Sequence, residues 1–254
     1  MLHLNDSILN QLMNHTSIRH FKNQPLSVKQ VTTLIDAAQH ASTSTFSQQS
    51  SIISVRDPKV KDELAVITGH PWLTNSGHYF VMIADQYRNL QIAKAHQVDP
   101  YVLQTTDKFL AGVFDAAIAT QNIMVAAEAM GLGGTIMGSI LNDSDRVIQL
   151  LDLPELTFPV LGLAIGYPAD QPELKPRMPQ TMMHFDGSYH LPADFDSQLV
   201  DYDQLIAEYY GTRSSNERQE SFSHHIVAEL GRSHEVRQDL LATIKQQGFL
   251  IDES

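Results

Sequence analysis

"FLAGVFDAAIATQNIMVAAEAM" occupies residues 109–130, and the reading of this stretch decides the fold. It is long enough to cross a bilayer. Asp115, Gln121, Asn122 and Glu128 nevertheless stand within it. A carboxylate near the centre of such a span costs about 2.5–3.5 kcal/mol on insertion scales. A helix buried inside a soluble protein, apolar on nearly all sides, accounts for the same residues without that cost. Its alanines and Gly112 leave room for another helix to approach closely, and subunit contact is a natural use for that surface.

On either side of this helix, apolar runs and capping residues mark the other elements. Residues 5–15 carry Ile8, Leu9, Leu12 and Met13 on one helical stripe behind Asn5 or Asp6 as the cap. A second helix covers 25–41, capped by Ser27, with Val28, Val31, Leu34, Ile35 and Ala38 turned inward. A short strand is expected near 50–55, and a helix at 57–68 with Pro58 in its first turn. "HYFVMIAD" (78–85) reads as a buried strand, followed by a helix near 87–97. Beyond the long helix come a strand near 134–138, a short helix at 142–153 and a second strong strand at 158–168. From Pro168 to Met182 four prolines in fifteen residues impose an extended, irregular path. A helix at 201–211, stopped by Gly211, a polar loop and two final helices ending near Gly248 complete the chain. Helices and strands are intermixed without regular βαβ alternation, so the fold class is α+β.

A net charge of −12 argues against nucleic acid as the main partner, because phosphate binding needs a basic surface. Cysteine is absent, which excludes disulfides and thiol catalysis. The start "MLHLNDSILNQ" lacks the basic and apolar regions of a secretion signal, so a cytoplasmic protein is expected. Twelve histidines raise the question of a metal. His224 and His225 are adjacent on a helix and point apart, and no His-Glu-x-x-His or comparable spacing occurs, so no metal is expected.

"ASTSTFSQQSSIIS" (41–54) has eight hydroxyl side chains in fourteen positions and no charge. Such a tract either covers a surface or holds a polar ligand. "GLGGTIMGS" (131–139) has the glycines of a nucleotide loop, but the spacing is wrong for a dinucleotide fingerprint and the run follows a helix. A helix C-cap at Gly131 explains it equally, although a glycine-rich backbone also lets a flat ring or phosphate come close. "HTSIRHF" (15–21) sets Ser17 and Arg19 just after a helix. In "LKPRMP" (174–179) Lys175 and Arg177 project to the same side of an extended chain, as converging cations or as a basic surface patch. These segments offer cations, hydroxyls and close-approach backbone, and none offers a nucleophile–base pair.

"SIRHF", "TFSQQSSII", "AAEAMGLGG", "GLAIGYPAD", "LKPRMP" and "AEYYGTR" occur in that order. Together they resemble the FMN-dependent nitroreductase family, in its NADPH-dependent flavin reductase branch, over nearly the whole chain. The resemblance implies a central, mostly antiparallel sheet flanked by helices, in a homodimer with interface helices and two FMN sites between subunits. It implies an FMN-binding core at 1–200 and a helical extension at 201–254 whose loop contacts NADPH. His15, Ser17 and Arg19 match the N-terminal motif that holds the FMN phosphate and part of the ring, and Thr16 lies within that segment as a further expected contact. Thr43 and Thr45 fall where the family uses hydroxyls, and Ile136, Met137, Gly138 and Ser139 match the backbone lying along the isoalloxazine. Lys175 and Arg177 match the basic pair that reaches the flavin and its phosphate. Arg213 falls in the loop that grips the NADPH 2′-phosphate, with Arg218 assisting.

Three positions depart from the family pattern. Thr16 stands where Arg is usual, Ser139 replaces the second glycine of a common pair, and Pro71 stands where several members offer a polar side chain. The implied activity is hydride transfer from NADPH through FMN to a flat aromatic acceptor such as a nitroaromatic, a quinone or free flavin, with ping-pong kinetics. The chemistry lies on the cofactor, so no catalytic side chain is required. The rivals are a reductase dedicated to free flavin or an inorganic oxidant, and a flavin-binding protein without turnover.

Overall fold

Strand β2, His78–Asp85, is buried at every residue, so its sheet must be covered on both faces. In the computed structural model, which describes residues 6–212, 218–231 and 235–251, β2 lies inside an antiparallel sheet of order β1-β2-β4-β3. Its neighbours are β1 (Ser50–Val55), β4 (Thr157–Gly166) and, at the far edge, β3 (Gly133–Met137). Side chains alternate across a strand. Phe80, Met82 and Ala84 therefore enter one core, and Tyr79, Val81 and Ile83 enter the other. The register of β2 on β4 shifts between Met82 and Ile83, which face Leu161 and Pro159 and leave Val160 as the extra residue of a bulge.

The first core is closed by two helices. Helix α5, Thr106–Ala129, starts at the Thr105 cap and lays Ala116, Ala119, Ile123, Met124 and Ala127 on the sheet. Gly112 lets its backbone come close, since a Cβ there would stand 3.1 Å from that of Ala84 and 3.0 Å from the Gln49 carbonyl. Helix α2, Val28–Gln39, begins with a capping box in which Ser27 and Gln30 satisfy each other's backbone N–H. It adds Val31, Leu34 and Ala38. On the other face, α3 (Pro58–Thr68) and α6 (Ser144–Leu150) bring Leu64, Ile67 and Val147 to Tyr79 and Val81. Helix α4, Tyr87–Ala95, and α9, Leu240–Gln246, share a third cluster in which Phe109 packs 5.0 Å from Phe249. The α+β architecture with a mostly antiparallel sheet is therefore the one expected.

The chain divides into two compact units, residues 1–172 with 235–254, and residues 173–234. In the second unit, α7 (Phe195–Gly211) and α8 (Phe222–Leu230) meet through Tyr202 and Phe222, whose ring centroids are 5.3 Å apart. A boundary after residue 200 falls inside α7, which starts six residues before the expected 201. One apolar position also differs from expectation. Val28 is 77% exposed because it is the first residue of α2, outside the part that faces the sheet. Ile8, Leu9, Leu12 and Met13 of the first helix, α1 (Asp6–Met13), are likewise exposed, since within one chain that helix only grazes α5. The Asn5 and Asp6 cap lies outside the described residues and side chains.

His78, at the start of β2, is buried beside Phe80 at 4.4 Å. Burial first, then the charges of Lys61 and Arg56, lower its pKa from 6.5 to about 4. The unfolded chain takes up this proton near pH 6.5 and the folded chain resists it to about 4, so the stability linked to neutral His78 is full above 6.5 and is lost as pH falls toward 4. The linked free energy is at most about 3.5 kcal/mol. His78→Leu should flatten the fall of melting temperature between pH 6.5 and 4; an unchanged slope would exclude His78 as its source.

Candidate active site

Residue 18 joins the N-terminal segment to the sheet. The Ile18 N–H donates to the Gly134 carbonyl at 2.9 Å, and the Thr135 hydroxyl donates to the Ile18 carbonyl at 2.6 Å. Ile18 is buried, which leaves Ser17 half-buried and Arg19 exposed on either side of it. His15 is held from α5 by a 2.5 Å hydrogen bond from Nδ1 to the Glu128 carboxylate. Thr16 lines a cavity of about 640 Å³ with Gln11, Lys22, Glu128 and Gln171. One edge of the sheet thus collects His15, Thr16, Ser17 and Arg19.

The same edge carries residues 136–139. Met137 points into the core, whereas Ile136 and Gly138 are exposed. A Cβ on Gly138 would meet nothing within 4 Å, so the backbone there is open to an approaching flat group. Ser139, a departure from the family pattern, is half-buried.

The hydroxyl tract stands elsewhere. Its residues 41–49 precede β1, the opposite edge strand, and are anchored by Asp115 of α5, which is 2% exposed. The two Asp115 oxygens accept the backbone N–H groups of Ser44 at 2.8 Å and Gln49 at 3.3 Å. Gln86 donates to Gln49 at 2.7 Å, and Gln49 to the Ser44 carbonyl at 3.2 Å. Between these anchors Thr45, Phe46 and Gln48 all have positive φ, at 51°, 56° and 53°. Thr45 is hydrogen bonded to Ser47 at 2.9 Å, and Thr43 lines a cavity of about 220 Å³.

In the second unit Lys175 and Arg177 are exposed while Pro176 and Met178 are half-buried, as an extended chain requires. Lys175 lies 5.5 Å over the ring of Tyr210, and Arg218 lies 4.2 Å over the same ring. Arg218 is also 3.6 Å from Glu220. A hydrogen bond from His224, chiefly, lowers the Glu220 pKa. Lys175 and Arg218, which the resemblance gives to different nucleotides, thus share one aromatic support. Arg213 lies outside the described residues.

Sequence reading missed several groups. Pro71 is exposed in a 3-10 turn, Pro71–Asn75, and the neighbouring His70 is the polar side chain available there. The His70 pKa is lowered by burial and then by Arg19, and its ring lies 5.2 Å from Trp72. The signal was the triplet His-Pro-Trp itself. Asp115 and Glu128 were read only as evidence against a bilayer, although an acid in an apolar helix also demands a buried partner.

Hydroxyl and cationic donors beside an open glycine backbone fit FMN, whose oxygens and phosphate accept hydrogen bonds and whose ring is flat. The Nitroreductase family model matches residues 12–167, and that of the Nitroreductase family C-terminal domain matches 175–252. An NADPH-dependent oxidoreductase of Staphylococcus aureus (strain N315) is 38% identical over 251 residues, 97% of this chain and 99% of that protein. The NfrA1 nitroreductase of B. subtilis superposes with a TM-score of 0.90 at 37% identity, over 96% of this chain and 99% of its own. The NADPH:FMN oxidoreductase of Vibrio harveyi, solved with NAD+, superposes at 0.84 with 29% identity, over 96% and 99%. By motif order, sheet architecture and similarity along nearly its full length, this chain belongs to the nitroreductase family.

Proposed function

We propose that the protein is an NADPH-dependent oxidoreductase that carries FMN and works by ping-pong two-electron transfer to flat aromatic acceptors such as nitroaromatics, quinones or free flavin. The observation that carries this reading is the junction at Ile18, which sets Ser17 and Arg19 at the sheet edge that also carries open Gly138. When bound, FMN supplies the carrier that takes hydride from NADPH and passes it on. The chain's part is to hold and orient it. The Ser17 hydroxyl and the Arg19 guanidinium are donors for phosphate or ring oxygens, and the Thr43 and Thr45 hydroxyls are donors for further oxygens. Exposed Ile136 offers an apolar surface beside Gly138, so a ring can stack there with little water retained. Lys175 and Arg177 remain the expected cations for the phosphate, and Arg213 with Arg218 for NADPH.

The topology supports a homodimer. The tract at the β1 edge and the His15–Arg19 segment at the β3 edge are separated by three strand spacings, roughly 14 Å of sheet. A second copy can bring one chain's tract to the other chain's β3 edge. Leu110, Phe114 and Ile118 form an exposed stripe along α5, and Phe46 in the tract is 83% exposed, which supplies apolar surface for that contact.

The purified protein should be yellow, with about one FMN per chain and twice the chain mass of 28.4 kDa by light scattering. Anaerobic NADPH should bleach it, and an added quinone should restore the colour. Protein that takes up no FMN would reject the reading; a yellow protein that NADPH fails to bleach would leave a flavin carrier without turnover.

NADPH and NADH differ only by a 2′-phosphate, which a guanidinium grips through two parallel hydrogen bonds. A hydrogen bond to a charged group contributes roughly 1.5–3 kcal/mol, or about 10- to 150-fold in kcat/KM. Arg213→Ala should lose that much with NADPH, keep its activity with NADH and still hold FMN. Equal losses with both nucleotides would show that the loop does not read the phosphate.

A further inference from the structure

The Gly138 carbonyl accepts a hydrogen bond from a guanidinium 99 residues further along the chain. Arg237 Nη2 donates to it at 3.0 Å, and Nη2 and Nε both donate to the Asn142 side-chain oxygen, at 3.0 and 3.1 Å. Asn142 in turn donates to the Ile67 carbonyl in α3 at 3.3 Å, which ties the group to the sheet's second cover. Arg237 reaches this position with φ at +74°, a left-handed backbone that an arginine adopts only where its contacts over-determine it.

The target of this clamp is the first residue of a short 3-10 helix, Gly138–Asp143. Gly138 is exposed and has no side chain, and space is open where a Cβ would stand. A peptide group is planar and trans, so fixing the Gly138 carbonyl also fixes the Ser139 N–H, which points the opposite way. Asp143, Asp145 and Asp239 line the same cavity of about 290 Å³ as Arg237. They offset its charge, so what the guanidinium conveys is direction rather than field.

We propose that Arg237 is a positioning residue: it sets the plane of the Gly138–Ser139 peptide and thereby aims the Ser139 N–H at the edge of the bound FMN ring. This rests on the reading of residues 136–139 as the flavin-side backbone. Lysine retains the charge but not the planar fork that reaches two acceptors, so it cannot substitute.

The test uses FMN-stripped wild type, Arg237→Gly and Arg237→Lys. It reads the FMN dissociation constant by fluorescence quenching, the visible bands of bound FMN and the melting temperature of the apoprotein. Glycine adopts a positive φ freely, so Arg237→Gly should melt no lower than wild type. Both variants should nevertheless bind FMN about tenfold more weakly, with altered visible bands, as loss of one well-aimed hydrogen bond implies. Dissociation constants within about twofold of wild type and unchanged bands would overturn the proposal, and a lowered melting temperature with unchanged binding would make Arg237 a fold clamp only. A wild type that binds no FMN would instead overturn the underlying reading of the site.

Discussion

The carboxylate of Asp115 sits in the middle of a helix that is otherwise apolar on the sheet side, and it is nearly sealed from water. A buried charge persists only when its lone pairs are met. Here the two oxygens are met by the backbone N–H groups of Ser44 and Gln49. The helix thereby dictates the path of the hydroxyl tract. Three residues of left-handed backbone lie between the anchors, each costing on the order of 1–2 kcal/mol for a side-chain-bearing residue. Such strain survives where surrounding contacts fix the ends of a segment. Asp115 therefore couples the core of the fold to a surface whose shape the chain would not adopt unaided.

The same economy governs the other sheet edge. Ile18, buried, fastens the N-terminal segment to β3, and Glu128 at the last turn of α5 holds His15. A single helix thus supports both candidate halves of the cofactor site, through Asp115 on one side and Glu128 on the other. The sheet order keeps those halves apart within one chain. In the proposed dimer those halves meet across the two subunits, and the exposed apolar stripes on α1 and α5 are consistent with such a contact.

Much of this was legible from sequence because it depends on local chemistry. Ser27 with Gln30, Asp57 before Pro58 and Asp143 before Ser144 are caps whose partners lie within three residues. Strand β2 was legible because eight consecutive residues suit burial on both faces. What escaped depends on distance along the chain. Asp115 meets residues 66 and 71 positions away, and Arg237 meets Gly138 across 99, and no periodicity encodes such pairs. Val28 was read as inward because apolar spacing identifies a face without saying how far along the helix its cover extends. The start of α7 was missed because the run from Phe195 to Val200 lacks a side-chain cap, as Asp194 makes no capping hydrogen bond. Pro71 drew attention as a missing polar group, while the ring that stands near Arg19 belongs to His70.

The central claim is that a buried carboxylate shapes the tract proposed to receive FMN, and Asp115→Asn tests it most directly. Asparagine keeps the size but presents one acceptor oxygen, so one of the two backbone N–H groups loses its partner. An unpaired buried donor costs about 1–3 kcal/mol, and each 1.4 kcal/mol passed to binding weakens it tenfold. Titrating apoprotein with FMN and following fluorescence quenching should therefore give a dissociation constant raised about tenfold or more, with the far-ultraviolet circular dichroism unchanged. An unchanged dissociation constant in a folded variant would contradict the account.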